Sequence, residues 1–171
     1  AVTHSDRYHL GSCTKAMTAT LTAVLVEDGT LSWETTMAEA FPDTDVHPDY
    51  ASVTLEMMLA HVGGAWSSFG DHTDVWNPLW ETGDVVEQRA WFVEQILTEA
   101  PEVTPGTTYR YSNAGYMLVG AAMEAITGES WEVLIQAHLL DPLEMKSCGF
   151  GGPDADGSLS HLHEVICDNH F

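Results

Sequence analysis

Leu10-Gly11-Ser12-Cys13-Thr14-Lys15-Ala16-Met17-Thr18-Ala19 is the stretch on which the reading of this chain turns. Ser12 and Lys15 are three residues apart. If Ser12 opens a helix, that spacing puts both side chains on one face, about one turn apart. A serine hydroxyl is a poor nucleophile until a neighbour takes its proton. A lysine amine takes it when burial or a nearby cation has lowered its pKa. From Ala16 to Val26 the sequence carries no charge, and a helix that is apolar or neutral all round belongs inside a domain. Lys15 is therefore expected at the mouth of a buried helix, where an ammonium is costly. A plainer reading stands beside this one, because Ser and Thr are ordinary helix caps and first-turn lysines are commonly solvated. With eleven serines and two lysines in 171 residues, chance supplies about 0.13 such spacings, so the pair needs a second signal.

The length suits one domain with a core. A hydrophobic content of 44% excludes a disordered chain. No apolar run reaches the length of a membrane span, and no signal peptide is visible. Because the chain begins at Ala1, it is expected to be processed, trimmed or a piece of a longer protein. Acidic residues number 26 against 5 basic, a net charge of −21. Such a surface repels nucleic acid and anionic membranes, so neither is expected as a partner. Adaptation to salty surroundings, or plain solubility, explains the charge more simply than cation binding. Three cysteines, Cys13, Cys148 and Cys167, are an odd and sparse set that does not read as a disulfide framework. Cys13 would point off the Ser12–Lys15 face and reads as a small buried residue.

Along the chain, residues 1–11 read as an extended lead-in in which Tyr8 and Leu10 alternate as a strand end does. His9 reads as a packing residue rather than a base. The buried helix should run from Ser12 to Glu27, stopped by Asp28-Gly29. Trp33 to Phe41 suggests a helical turn, and 42–53 a loop. Thr54 caps a short helix through His61, ended by Gly63-Gly64. A long loop is expected from there to Gly83, and loops of that length commonly carry function. Its Trp66, Trp76 and Trp80 either wall an apolar pocket or pack on the loop's own scaffold. Asp84 and Glu87 form a capping signal for a helix from Val85 to about Ala100. Ala114 to Thr127, ended by Gly128, is a second nearly uncharged helix. Ser130 caps a third, to Leu140. Beyond Gly149 the composition shifts to Gly, Asp and Ser. There His161, His163, Cys167 and His170 have the look of a metal-ligand cluster, although terminal His-rich stretches are often simply frayed.

Tyr111-x-Asn113 is the second chemical signal. A tyrosine, with a pKa near 10, becomes a base only if cations lower it, and Lys15 could do so. Asn113 offers an amide donor and acceptor for a polar substrate group. Taken alone, Tyr111-Ser112-Asn113 is also a common turn with an Asn N-cap.

Together these pieces resemble a known family. Ser12-Cys13-Thr14-Lys15 resembles the Ser-x-x-Lys motif of serine β-lactamases and penicillin-binding proteins. Tyr111-Ser112-Asn113 is similar to the Tyr-x-Asn element of the class C branch. Thr54-Leu55-Glu56-Met57-Met58-Leu59-Ala60-His61-Val62-Gly63-Gly64 resembles the family's Thr-Leu…Leu-Leu-x-His-x-x-Gly segment. Pro105-Gly106, Asn113-Ala114-Gly115-Tyr116 and Gly128…Asp141-Pro142-Leu143-Glu144-Met145 follow in the family's order. The resemblance covers roughly residues 6–150, and leans towards class C-like esterases, D-aminopeptidases and β-lactamase-like hydrolases.

The resemblance implies a serine acyl-transfer enzyme that needs no cofactor and acts on a small-molecule ester, amide or β-lactam. Ser12 would be the nucleophile, Lys15 and Tyr111 would share the base role, and Asn113 would bind substrate. The backbone N–H of Ser12 would supply half of an oxyanion hole. The implied fold is mainly α: the helical subdomain of the β-lactamase/transpeptidase-like fold in residues 1–150, with most of the accompanying antiparallel sheet missing and a tail at 151–171. A periplasmic or secreted location is implied too. The chain departs from the family in one respect that bears on activity, since no Lys- or His-(Thr/Ser)-Gly motif occurs. Activity is accordingly expected to be weak, and a homo-oligomer is one expected cover for the incomplete sheet side. The alternative is a truncated, catalytically incomplete relative that binds a ligand, a metal ion or a partner chain.

Overall fold

The structure, a computed structural model, describes residues 7–67, 72–79, 83–150 and 165–168. It is mainly helical, as expected, with one small sheet. Strand β1 (Arg7–His9) leads through a 3-10 turn at Gly11–Cys13 into α1 (Thr14–Glu27). Four short helices follow: α2 (Met37–Ala40), α3 (Pro48–Ala51), α4 (Leu55–Leu59) and α5 (Thr73–Leu79). The longer α6 (Val85–Leu97) and α7 (Asn113–Thr127) come next. Helix α8 (Trp131–Ile135) runs on as a π-helical turn, Gln136–Leu140. Strands β2 (Cys148–Phe150) and β3 (Val165–Asp168) complete an antiparallel sheet in the order β1-β3-β2. The central strand therefore comes from the tail beyond residue 150, and its register sets Cys167 opposite both Tyr8 and Cys148.

Helix α7 is the centre of the core. Its small residues, Ala114, Gly115, Gly120, Ala121 and Ala122, let α1, α2, α4, α6 and α8 approach it. Around it lie Leu21 and Leu25 from α1, Leu55 and Met58 from α4, Phe92 and Ile96 from α6, and Trp131 and Ile135 from α8, all buried. The helix ends are fixed by the residues the sequence marks. Asp84 and Glu87 make a reciprocal capping box, Thr36 and Glu39 make another, and Gly128 closes α7 at φ 75°. Ser112, not Asn113, caps α7: its Oγ accepts the Gly115 N–H at 2.8 Å.

Several expectations are corrected. Helix α1 is not buried all round, since Ala16, Thr20 and Ala23 are exposed. Its inner face instead buries Thr18 and Thr22, whose hydroxyls donate to the carbonyls of Thr14 and Thr18 at 3.2 and 2.9 Å. Small neutral side chains fit either environment, so absence of charge did not reveal which face was wet. Cys13 is an exposed free thiol, not a buried residue. Cys148 is disulfide-bonded. The loop expected at 42–53 contains α3, where Pro48 occupies the first turn that tolerates its missing N–H. The loop expected between residues 64 and 83 contains α5, with Pro78 in its last turn.

Among the described residues two charged groups, Arg89 and Glu124, lie in the core. Arg89 on α6 has no exposed side-chain surface. Its Nε donates to both Glu124 oxygens at 3.0 and 2.9 Å, and its Nη1 and Nη2 donate to Glu132 at 2.9 and 2.7 Å. Glu124 Oε1 also accepts the Trp131 N–H at 2.8 Å. The network thus joins α6, α7 and the first turn of α8. Breaking it from one side leaves a buried carboxylate without its partner, so Arg89→Met should cost about 3–5 kcal/mol in urea denaturation. Raising NaCl should raise the unfolding midpoint of wild type, because salt screens repulsion among the acidic surface residues.

Candidate active site

The site forms where the first turns of α1 and α7 meet. Gly11 turns the chain at φ 51°, a backbone conformation L side chains seldom adopt, and so carries it from β1 into the 3-10 turn that holds Ser12. Ser12 is exposed, and Lys15, one turn on, is half-buried. From the other side comes the segment 107–112 that leads into α7. Tyr111 Oη donates to Ser12 Oγ at 2.7 Å. Lys15 Nζ lies 3.4 Å from the same oxygen and donates to Asn113 Oδ1 at 2.7 Å. The ammonium also stands over the rings of Tyr111 and Tyr116, 5.0 and 5.6 Å from their centroids. All four side chains singled out from the sequence, Ser12, Lys15, Tyr111 and Asn113, therefore share one small volume. Asn113 can face Lys15 because Ser112 performs the capping.

The electrostatics single out Tyr111. Partial burial pushes its phenol up, but the hydrogen bonds and charge of Lys15, with the hydrogen bond to Ser12, outweigh this and hold it below the ordinary tyrosine range. In neighbouring Tyr116, burial first and the two phenols Tyr111 and Tyr109 next push the other way. One phenol is thus tuned towards proton exchange and its neighbour away from it.

Two polypeptide segments support this corner. Residues 61–67 run against 101–112. Gly106 N–H donates to Val62 O at 2.8 Å, and Glu102 N–H to Gly64 O at 3.0 Å. Gly64 has φ 81°, and a Cβ there would lie 2.5 Å from Val103 O, so only glycine permits the approach. Glu102 receives Arg110 Nε at 2.9 Å and the Ser67 N–H at 3.2 Å, beside His72 Nε2 at 3.4 Å. His61 O accepts the Arg110 N–H at 2.8 Å, and His61 Nδ1 accepts the Ser112 N–H at 3.0 Å. Sequence reasoning assigned no role to this Glu102–Arg110 pair. It placed His61 in a family segment without a function. The pairings span 8 to 51 residues, and no local pattern announces them.

Trp66 is 6% exposed, stacks on His72 with centroids 3.6 Å apart and meets Phe92 edge-on, so it is a core residue and not a pocket wall. Trp80 and the side chain of Trp76 lie outside the described residues, as do His161, His163 and His170. Cys167 is described as a backbone position of β3.

The family model described as Beta-lactamase matches residues 1–161. Penicillin-binding protein 4 of Amycolatopsis lactamdurans is 31% identical over 145 residues, which are 84% of this chain and 36% of that one. The unguisins hydrolase of Aspergillus violaceofuscus is 33% identical over 146 residues, 81% of this chain and 24% of that one. The chain thus spans about a third of the length of these curated relatives, or less. Among solved structures, D-amino acid amidase of Ochrobactrum anthropi superimposes with a TM-score of 0.72 at 21% identity, over 98% of this chain and 59% of that one. That likeness shows the fold: the described helices are those of a β-lactamase/transpeptidase-like protein.

The placement of Lys15 makes a spectroscopic test of the site. In Lys15→Met, Tyr111 loses the cation that favours its phenolate. Its titration, followed by NMR of 13Cζ-labelled tyrosine and assigned with Tyr111→Phe, should move up towards the ordinary value of 10.0.

Proposed function

The chain belongs to the beta-lactamase family of serine hydrolases, and on that premise we propose that it cleaves a small ester, amide or β-lactam through an acyl-enzyme on Ser12. One observation carries the proposal: the Ser12 hydroxyl is held between a phenol at 2.7 Å and an amine at 3.4 Å, at the start of a 14-residue helix.

In the first step the Tyr111–Lys15 pair, short of one proton as phenolate beside ammonium, takes the Ser12 Oγ–H proton while Oγ bonds to the substrate carbonyl carbon. The two groups are coupled, so the proton belongs to the pair rather than to either residue. The carbonyl oxygen becomes an oxyanion facing the backbone N–H of Ser12 and the positive end of α1. Collapse expels the amine or alkoxide, which takes its proton from the pair. Water then attacks the ester, again giving its proton to the pair, and the Oγ–C bond breaks with return of a proton to Ser12. Asn113 holds the Lys15 ammonium through Oδ1, which leaves its amide NH2 to donate to the acyl side of a substrate. A β-lactam substrate is supported by the similarity to penicillin-binding protein 4. A periplasmic or secreted location fits the disulfide at Cys148, since such bonds persist in oxidising compartments.

A second reading is a relative that acylates or binds a ligand on Ser12 without turning over.

A chromogenic cephalosporin and short p-nitrophenyl esters separate these readings. Wild type should hydrolyse at least one of them, Ser12→Ala should fall to background, and Tyr111→Phe should lose about 10²–10⁴ in rate. A lasting mass adduct on Ser12 without product would support the binding reading. Equal rates for wild type and Ser12→Ala would end the enzymatic one.

A further inference from the structure

Helix α4 ends in an unusual residue. Val62 N–H donates to Met57 O at 2.9 Å and His61 N–H to Met58 O at 3.1 Å, the paired bonds that close a helix when the residue after the cap is left-handed. Glycine is the usual occupant of that position, yet here it is His61, at φ 59°. The cap alone gives no reason for an imidazole. The reason lies in what the left-handed turn does with the rest of the residue. It aims the His61 carbonyl at the Arg110 N–H, 2.8 Å away, and the His61 Nδ1 at the Ser112 N–H, 3.0 Å away. The backbone on both sides of Tyr111 is thereby tied to one residue. The imidazole also lies against the Tyr111 ring, with centroids 4.6 Å apart and planes tilted by 37°.

We propose that His61 is the positioning residue of this site, clamping the chain before and after Tyr111 and backing its ring, and that it does so only as the neutral imidazole. The proposal rests on the acyl-transfer reading for its consequence in catalysis, while the clamp itself can be observed without turnover. Nδ1 must be unprotonated to accept the Ser112 N–H, so the ring proton belongs on Nε2. Protonation at Nδ1 would replace the acceptor with a donor facing a donor, and release the C-terminal side of Tyr111.

The groups facing the ring decide where that happens. They are Tyr109 and Tyr111 from the segment before α7, Tyr116 from α7 and the Lys15 ammonium from α1. Burial first, and the Lys15 charge second, hold the imidazole below its ordinary range. The clamp is therefore closed at neutral pH and opens as the pH falls below the usual histidine range. The sign for stability is the same: the His61 contribution is complete above the unfolded-state value and is lost as pH drops towards the folded one.

Two substitutions separate positioning from capping. His61→Gly keeps, and eases, the left-handed cap and the carbonyl, but removes the ring. His61→Asn tolerates the same backbone and offers Oδ1 to the Ser112 N–H without titrating. In wild type at pH 7, 15N NMR should show His61 with Nδ1 unprotonated. In His61→Gly the Tyr111 phenol should titrate higher, as it drifts from Lys15 and Ser12, and acylation by the substrates above should slow about 10- to 100-fold. His61→Asn should return the Tyr111 titration towards wild type, recover at least about tenfold of the rate over His61→Gly, and lose the His61 step from the acid limb of the pH profile. A Tyr111 titration unchanged in His61→Gly, or His61→Asn no better than His61→Gly, would overturn the proposal. If wild type acylates with nothing, the acyl-transfer reading fails, and the Tyr111 titrations still decide whether His61 positions the phenol.

Discussion

The hydrogen bond from Lys15 Nζ to Asn113 Oδ1, 2.7 Å long, joins residues 98 positions apart, and the site depends on it. It fastens the first turn of α1 to the first turn of α7. Once those two turns are fastened, the remaining distances follow from helix geometry. Ser12 lies one turn before Lys15, on the same face. Tyr111 lies two residues before Asn113, and its phenol reaches Ser12 Oγ. An amine that must serve a hydroxyl, an amide and two aromatic faces has little freedom to swing into solvent. Such fixed placement is what lets a positioned group act on a reacting atom without first being ordered.

That fastening is only as good as the orientation of α7. The helix is buried from Ala114 to Glu124 except at Tyr116, whose hydroxyl reaches Leu59 O at 3.0 Å. Its far end is tied to α6 and α8 through the Arg89 network, and its near end through Ser112, whose Oγ donates to Trp66 O at 2.6 Å. A rotation of α7 that moved Asn113 away from Lys15 would have to break hydrogen bonds at both ends and repack small side chains against several neighbours. Close-packed interiors resist such partial adjustments. Buried Arg89 and Glu124, with half-buried Glu132, are better understood as fixing which way three helices meet than as a net source of stability, because desolvating them offsets much of their attraction.

What could be read from the sequence divides along physical lines. Caps were legible, because Asp84 with Glu87 and Ser130 before Trp131 act within four residues of themselves. The Ser12–Lys15 spacing was legible for the same reason. Tyr111 and Asn113 stood out for their chemistry, but only resemblance tied them to Lys15, since nothing local says that a phenol and an amide will meet a lysine on another helix. Two stretches read as loops, 42–53 and 64–83, hold prolines that sit in helices: Pro48 opens one and Pro78 lies in the last turn of another. Arg89 was invisible as a core residue because a lone arginine on an amphipathic helix ordinarily faces water. His61 was in plain view, but its part depends on a left-handed backbone angle that a histidine seldom adopts.

The charge of the chain sharpens the contrast between site and surface. Only five residues of 171 are basic. Arg89 is enclosed by Glu124 and Glu132, and Arg110 is held by Glu102. Lys15 is held differently, by neutral oxygens and by the faces of two phenols. A carboxylate beside it would have quenched its field. Neutral partners fix its position and leave that field acting on Tyr111. The same neutrality extends to His61, which touches the site with an uncharged acceptor. Among the described residues no carboxylate is paired with Lys15, so its field falls on the Tyr111 phenol undiminished by a counter-charge, which is what favours a phenolate there.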